Sequence, residues 1–431
     1  MPVQSQPRPP QPIAGRAGSQ ADGRTAGRPA NAGSAGGATD ARSVAAPATT
    51  GAAAVLRAVL DHGPVARTLI GQATGLSPAA VSRQTAELIS LGLVRELPAP
   101  ATPPRAGRPF VPLDIDTDRY LAYGVHIGVP TVTFGLLDLR GRVVAQEALE
   151  HDGDAASVSR LIGRHLPGFA RRHGRGGRAL GLGVVSGGRV DNERGVIVEH
   201  APLGWRDVHI RDELAAITSL PVHVDGHARA IARAEILFGP RRARRSLVHL
   251  FVGYVVDAAF ATDGVVHRGS RSAAGDVAHL PVSGSDRRCA CGRTGCFQAA
   301  VSETTLLERA VRERVIARPD SSALLAAAVA GEPKALAIYS DRLRIVGRVI
   351  ALLMNMLDPD DLILTESAVI GVPALRAVLY EEIAAHARAC PAPEKVVRPN
   401  SFGAGTPAVA AGATVLDAVH SFPRGLFSPN R

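Results

Sequence analysis

The chain has 431 residues, too long for one ordinary domain, with 46% hydrophobic and 20% charged residues and an aliphatic rather than aromatic apolar content. Its formal net charge is +10, carried almost wholly by arginine, since Lys334 and Lys395 are the only lysines. No apolar run approaches the roughly 18 residues of a membrane helix, and the N-terminus lacks the apolar stretch of a secretory signal, so neither membrane insertion nor export is expected.

An Arg/Ala/Gly bias by itself reflects genome composition as readily as function. The distribution of charge is more informative. Residues 1–110 hold 11 Arg against 5 Asp plus Glu, a net of +6 in a quarter of the chain. A basic segment of this kind is the electrostatic footprint of a nucleic-acid binder. Three of the four cysteines fall within eight residues, which points to a metal site in a reducing compartment and not to a disulfide framework. The expected location is the cytoplasm, on the chromosome.

Residues 1–48 are rich in Pro, Gly, Ala and Arg and show no apolar periodicity. Such a segment cannot bury enough surface to offset chain entropy and reads as a disordered basic tail. It is either an arm that strengthens DNA binding or a dispensable extension. Residues 49–114 read as a compact head. Ala52–Leu60 puts Val55, Leu56, Val59 and Leu60 on one helical stripe, which His62-Gly63-Pro64 ends. A second short helix, Ala66–Thr74, is expected to bury Leu69, Ile70 and Ala73. Gly75-Leu76 makes a tight turn. Ser77 then caps a third helix that starts with Pro78 and runs to Ser90, with Val81, Leu88 and Ile89 facing inward.

Helix, glycine turn and helix at this spacing fit a helix-turn-helix whose last helix enters the major groove N-terminus first. Its outward candidates are Ser77, Pro78, Ala79, Ser82, Arg83 and Gln84. Arginine reads guanine through two hydrogen bonds, and glutamine suits adenine. Arg67, at the start of the second helix, is placed for a phosphate. Leu93–Leu97 and Phe110–Leu113 are expected to pair as wing strands, with Arg105 and Arg108 between them reaching phosphates or the minor groove. The partner expected is double-stranded operator DNA. The bland alternative is a small helical interaction module with solvated arginines.

From residue 115 to 431, strands alternate with helices, the pattern of an α/β domain. Expected strands are Tyr120–Ile127, Val132–Leu139, Arg142–Glu150, Ala179–Val185, Val222–Val224, Leu247–Val252, Ala258–Thr262 and Leu362–Leu364. Expected helices are Ala155–Arg172, Ala228–Phe238, Ala299–Val315, Lys334–Leu357, Pro373–Arg388 and Pro407–Val419. His279, Cys289, Cys291 and Cys296 supply one imidazole and three thiolates, a filled tetrahedral zinc set with no open position for catalysis, hence a structural zinc. Cys390 lies far away and reads as a buried thiol.

The run AAGDVAHLPV…CACGRTGCFQ resembles the Glu-x-Gly-His segment and zinc loop of the ROK (repressor, open reading frame, kinase) family. LGWRDVHIRDELAAITSLPVHVDGHARAIARAE, MLDPDDLILTES and AVAAGATVLDA are further matches, so the resemblance spans roughly residues 52–420. It implies a two-lobed, actin-like (ribonuclease-H-like) α/β domain after the winged head, with a ligand cleft between the lobes. Members with such a head are regulators, often repressors of sugar-utilisation genes that a sugar or sugar phosphate releases from DNA. The resemblance also implies a homodimer or higher homo-oligomer.

The residues for kinase chemistry are replaced. Where the family's first phosphate segment reads Asp-x-Gly-Gly-Thr, this chain has His126-Ile127-Gly128-Val129-Pro130. The second glycine-rich segment becomes Gly253-Tyr254-Val255-Val256-Asp257, and the later glycine pair becomes Thr365-Glu366. Close approach of backbone amides to phosphate needs glycine, so no phosphate cradle is expected. The segment carrying the catalytic Asp reads Val224-Asp225-Gly226-His227. In the sugar pocket Asp276 stands for the family Glu and Gln298 for a second Glu. The residues expected to face a ligand are Ser186, Gly187, His227, Asp276, His279 and Gln298. The chain is therefore expected not to be an enzyme. A constitutive DNA binder whose kinase-like part only dimerises, and a sugar kinase with an accessory head, are the alternatives.

Overall fold

The computed structural model describes residues 50–98 and 111–425; the tail, Arg105, Arg108 and Phe110 lie outside the described residues. The head consists of α1 (Gly51–His62), α2 (Arg67–Thr74), α3 (Pro78–Ser90), β1 (Val94–Glu96) and β2 (Leu113–Ile115). Thr50 and Ser77 cap α1 and α3 with their hydroxyls. Gly75 turns the chain at φ +70°, a conformation that costs glycine little. The second wing strand lies later than expected, pairing Val94 with Ile115 and Glu96 with Leu113. Leu69 and Ala73 do not point inward: Leu69 is 53% exposed, and Ile70 is the buried residue of α2. A two-turn helix meets the core along too narrow a stripe to bury three positions.

The first lobe contains β3 (Tyr120–Ile127), β4 (Thr131–Leu137), β5 (Val143–Glu150), α4 (Ala155–His173), β6 (Arg178–Ser186), β7 (Arg189–Asp191), β8 (Val196–His200), β9 (Trp205–Val208), α5 (Ile210–Thr218), β10 (Val222–Gly226) and α6 (His227–Phe238). The second contains β11 (Ser246–Val252), β12 (Val256–Thr262), β13 (Val265–Val266), α7 (Phe297–Val301), α8 (Glu303–Arg312), α9 (Ser321–Val329), α10 (Pro333–Leu357), β14 (Asp361–Thr365), α11 (Ser367–Gly371), α12 (Pro373–His386) and β15 (Val397–Pro399). The chain closes with α13 (Thr406–Ser421), which packs back on β3, β4 and β6.

The two main sheets share one topology. Their orders are β5-β4-β3-β6-β10 and β13-β12-β11-β14-β15. In each, three antiparallel strands are followed by two parallel ones reached through helical crossovers. This duplicated arrangement is the two-lobed actin-like fold that the resemblance implied. The expected helix Ala299–Val315 is broken, because Ser302 is extended and caps α8 while Glu303 N donates to Gly253 O. The sheet β7-β8-β9 was absent from the expected elements. Its strands are too short for a period-2 pattern to register.

The alanine-rich α13 lies against the first sheet through glycines. A Cβ on Gly183 would stand 1.9 Å from Ala411 O, and one on Gly135 would stand 2.4 Å from Ala408 Cβ. The core of the head is continuous with this layer: Val55, Val59, Ile70 and Leu88 share one apolar cluster with Tyr120, Ala408 and Leu416. Polar ties reinforce it. Arg244 grips Asp61 with two hydrogen bonds (2.7 and 2.8 Å), Arg57 donates to Ile236 O (3.1 Å), and Tyr120 donates to Leu91 O (2.9 Å). Among the described residues no single helix is long and apolar enough to cross a membrane.

Candidate functional site

Along α3 the exposed positions are Pro78, Ala79, Ser82, Arg83, Ala86 and Ser90. Arg83 has no hydrogen bond or ion pair with the described residues, so its guanidinium is free to meet a partner. Ser77 is spent as the cap, its Oγ accepting from Ala80 N at 3.3 Å. Gln84 corrects the expectation: it is buried, packs 3.7 Å from the position of a Cβ on Gly51, and its Oε1 accepts from Arg424 (3.2 Å). One residue past Arg83 is a rotation of about 100°, which takes Gln84 from the outer face to the α1 side. Ala86 was not anticipated. It stands one turn beyond Ser82 and Arg83, which an i, i+3/i+4 count from those residues would have found. Arg67 is bound to Glu96 Oε1 at 2.6 Å, tying α2 to the wing strand while both side chains stay partly exposed.

The ligand atoms of His279, Cys289, Cys291 and Cys296 all lie within 4.8 Å of one another. Cys291 and Cys296 Sγ are 3.7 Å apart, and Cys289 Sγ is 3.6 Å from His279 Nδ1. Zinc bonds of about 2.0–2.3 Å in a tetrahedron place their ligands roughly 3.3–3.8 Å apart, so these two separations are compatible with a four-coordinate ion. Gly292 (φ +89°) and Gly295 (φ +72°) let the loop turn back on itself. Hydrogen bonds from the Arg293 backbone and side chain bring Cys291 down to about 6, while burial and its hydrogen bonds to the neighbouring thiols push Cys296 up to about 11, so without an ion the negative charge rests on Cys291 and the proton on Cys296. Cys390 is buried elsewhere, as expected.

A cavity of about 650 Å³ opens between the lobes, with Gly188, Arg189 and Glu199 on one side and Asp276, His279 and Arg288 among those on the other. The expected ligand-facing residues do not come together here. Asp276, His279 and Gln298 line this cavity, but His227 and Gly187 line a second one, and Ser186 is fully buried and lines neither. Gln298 also turns out to be occupied. Its Oε1 accepts from Val256 N (2.6 Å) and its Nε2 donates to Tyr254 O (2.7 Å), so the amide holds the β11–β12 turn. Arg189 and Arg288, which sequence reasoning missed, have no ion-pair partner among the described residues. Nothing marks two arginines among 47 beforehand.

The replaced phosphate and base segments have acquired structural partners. Asp257 crosses the cleft to accept from Gly188 N (3.1 Å) and stands 3.2 Å from His227 Nε2. A Cβ on Gly187 would meet Val255 at 2.4 Å, so the β11–β12 turn packs directly on the first lobe at this point. Asp225 is enclosed. Its Oδ1 accepts from Arg229 (2.7 Å) and Gly226 N (2.8 Å), and its Oδ2 from Arg233 (3.0 Å). Burial raises this carboxyl, but Arg233 and Arg229 outweigh that and hold it below the usual range, so it is no proton acceptor in waiting.

Comparison with known proteins agrees with this geometry. The model of the ROK family matches residues 122–418. A transcriptional regulator of Mycobacterium tuberculosis is 33% identical over 393 residues, covering 87% of this chain and 86% of that protein. The DNA-binding transcriptional repressor Mlc of Escherichia coli is 28% identical over 333 residues, covering 73% and 80%. The crystal structure of a ROK family transcriptional regulator, a homologue of the Escherichia coli Mlc protein, superposes with a TM-score of 0.68 at 21% identity, covering 86% of this chain and 96% of that one.

Proposed function

The chain belongs to the ROK family, and we propose that it is a sequence-specific DNA-binding transcriptional regulator of the repressor type, with Arg83 reading the operator. The observation that carries this reading is an unpaired Arg83 on the exposed face of a capped recognition helix. Pro78, Ala79 and Ser82 flank it and allow close approach to base edges. Arg67, already tied to Glu96, contributes to phosphate positioning, and Arg105 and Arg108 supply further positive charge for phosphates or the minor groove. Two heads on a homodimer assembled through residues 115–431 meet a roughly palindromic operator.

The protein is not an enzyme in this reading, since Asp257, Val255 and the enclosed Asp225 leave neither a phosphate cradle nor a base. The interlobe cavity takes a sugar or sugar phosphate, with Asp276 and His279 for hydroxyls and the unpaired Arg189 and Arg288 for a phosphate. One observation favours the alternative of a constitutive binder: the Gln298 amide is spent on its own turn. His279, Cys289, Cys291 and Cys296 hold a structural zinc that fixes the loop beside this cavity. Stripping it with a chelator is expected to lower the melting midpoint by several degrees, with recovery on adding zinc. An unchanged midpoint in metal-free protein would remove the zinc assignment.

The test of the main reading is selection of bound fragments from sheared genomic DNA at near-physiological salt, where non-specific phosphate binding is weak. A shared palindromic motif is expected, with Arg83→Ala weakening it by about 1–3 kcal/mol. Recovery without a motif, unchanged in Arg83→Ala, would refute the recognition-helix assignment.

A further inference from the structure

The four-ligand cluster is uneven in its access to solvent. Cys291 is exposed, whereas Cys289 and Cys296 are 6% and 2% exposed. Burial keeps a structural cysteine inert, and here one sulfur of the set faces water. The charge around it is one-sided as well. The loop from Arg287 to Cys296 holds Arg287, Arg288 and Arg293 and no acid. Arg287 is neutralised by Glu308 (2.5 Å), but Arg293 hydrogen-bonds to the Cys291 sulfur itself. An exposed sulfur in electropositive surroundings, with a second sulfur in reach, is the arrangement of an oxidisable pair.

The second sulfur is that of Cys296. The two Sγ atoms are 3.7 Å apart and a disulfide needs about 2.05 Å, so roughly 1.7 Å remains to be closed. The segment between them carries Gly292 and Gly295, both at positive φ, and a Cβ on Gly292 would meet nothing within 4 Å. That loop has room to give. Cys289 is joined to Cys291 through Ala290 alone, which leaves little chain to absorb the movement. His279, Cys289 and Cys291 also line the interlobe cavity beside Asp276. Cys296 stands at the start of α7, and the residues around it are tied to the His279 segment, with Phe297 N donating to Leu280 O and Gln298 N to Ala278 O (both 2.8 Å). A change in the cluster is therefore felt at one wall of that cavity.

We propose that Cys291 and Cys296 form a peroxide-sensitive thiol pair, whose oxidation to a disulfide dismantles the metal site and alters the wall of the interlobe cavity. The Cys291 sulfur attacks a hydroperoxide. An S–O bond forms as the O–O bond breaks, and the departing oxygen takes a proton and leaves as an alcohol, or as water from hydrogen peroxide. The Cys296 sulfur then attacks the sulfenic acid. An S–S bond forms as the S–O bond breaks, and the hydroxide released takes a proton. Two thiolates thus give up two electrons to one hydroperoxide, with two protons consumed. His279 and Cys289 are left, too few to complete a tetrahedral site. A dithiol reverses the reaction by exchange. The inference rests on the zinc assignment only for the ion released, since the disulfide is read from the protein itself.

The full-length protein, with its zinc content measured beforehand, is treated with a small excess of hydrogen peroxide. Mass spectrometry of the unreduced digest should show a Cys291–Cys296 bridge, lighter by two hydrogens than the reduced pair. Zinc should appear in solution in equal amount, detected with a chromogenic chelator, and dithiothreitol with added zinc should restore the starting state. Cys390→Ser, which changes a buried thiol outside the cluster, should respond as wild type does. Cys291→Ser should form no bridge, and if that variant does not fold, the bridge mapped in wild type decides. The proposal is overturned if Cys291 and Cys296 stay reduced with zinc still bound, if the bridge joins Cys289 to Cys291, or if Cys291 passes to the sulfinic acid without bridging. Protein that holds no zinc at the outset yet forms the Cys291–Cys296 bridge would refute the zinc assignment and uphold the thiol pair.

Discussion

Asp225→Ala is expected to cost about 3–5 kcal/mol, because it strands two buried guanidiniums. Arg229 and Arg233 converge on this carboxylate inside the protein, each under 10% exposed. Arg229 also donates to Val190 O (2.8 Å) in the first lobe and Ser272 O (3.0 Å) in the second, while Arg233 reaches Asp417 of α13 (3.1 Å). Removing the carboxylate therefore loosens the junction of both lobes and the closing helix together. Urea unfolding followed by circular dichroism measures this. Asp225→Asn, which keeps the shape and one acceptor, should fall between wild type and alanine. A loss below about 1 kcal/mol in Asp225→Ala would mean that the pair of arginines is solvated and the junction is not built on it.

Mild acid is expected to act nearly as strongly. Burial lowers His249 to about 3, and His200 and His420 to about 4. The geometry explains why none takes a proton while folded. His420 Nε2 lies 3.0 Å from Leu139 O, and its Nδ1 is buried without a partner. His200 Nδ1 accepts from Leu203 N at 3.3 Å. His249 lies 3.1 Å from Ala228 O and 3.0 Å from Thr365 Oγ1, using both nitrogens in its neutral form.

The unfolded chain takes up these protons near pH 6.5, so it binds more protons than the folded one below that pH. The stability is complete above about pH 6.5 and is lost as pH falls from there toward 4 and then 3. At pH 5 each histidine contributes a loss of about 1–2 kcal/mol. Urea midpoints at pH 7.5 and pH 5 measure the total, with zinc content checked in both. His420→Phe removes one titrating group and should flatten the profile. Parallel profiles for variant and wild type would show that His420 protonates as easily in the folded protein.

The ends of α13 connect the sites described here. Thr406 and Pro407 line the second cavity, while beyond the other end Arg424 holds Glu87 (2.6 Å) and Gln84 of α3. This link was invisible beforehand, because each partner lies more than 330 residues from Arg424.

Much of the protein was legible from local signals. The cap Ser77, Pro78 and the left-handed Gly75 placed α3 to the residue. The strands Tyr120–Ile127 and Leu247–Val252 are apolar runs broken only by His126 and His249, near what strands buried on both faces require, and both were found within a residue. The cluster of three cysteines and a histidine that could hold a metal followed from residue types at zinc-compatible spacing. Lost glycines at Val129 and Val255 pointed to a filled phosphate space, yet a cavity of about 440 Å³ remains between the segments that carry them. All these features depend on neighbours within a few residues, so the sequence by itself determined them.

Tertiary structure decided which side chains remain available. Gln84 sits beside Arg83 in sequence, yet contact with α1 and Arg424 covers one and leaves the other free. Gln298, Ser186 and His227 have residue types suited to a ligand, but one supports a turn, one is sealed beneath the sheet end, and one belongs to a second cavity. A polar side chain is functional or structural according to whether a distant segment already satisfies it. That depends on how the lobes, the head and α13 come together, which residue type and spacing do not encode.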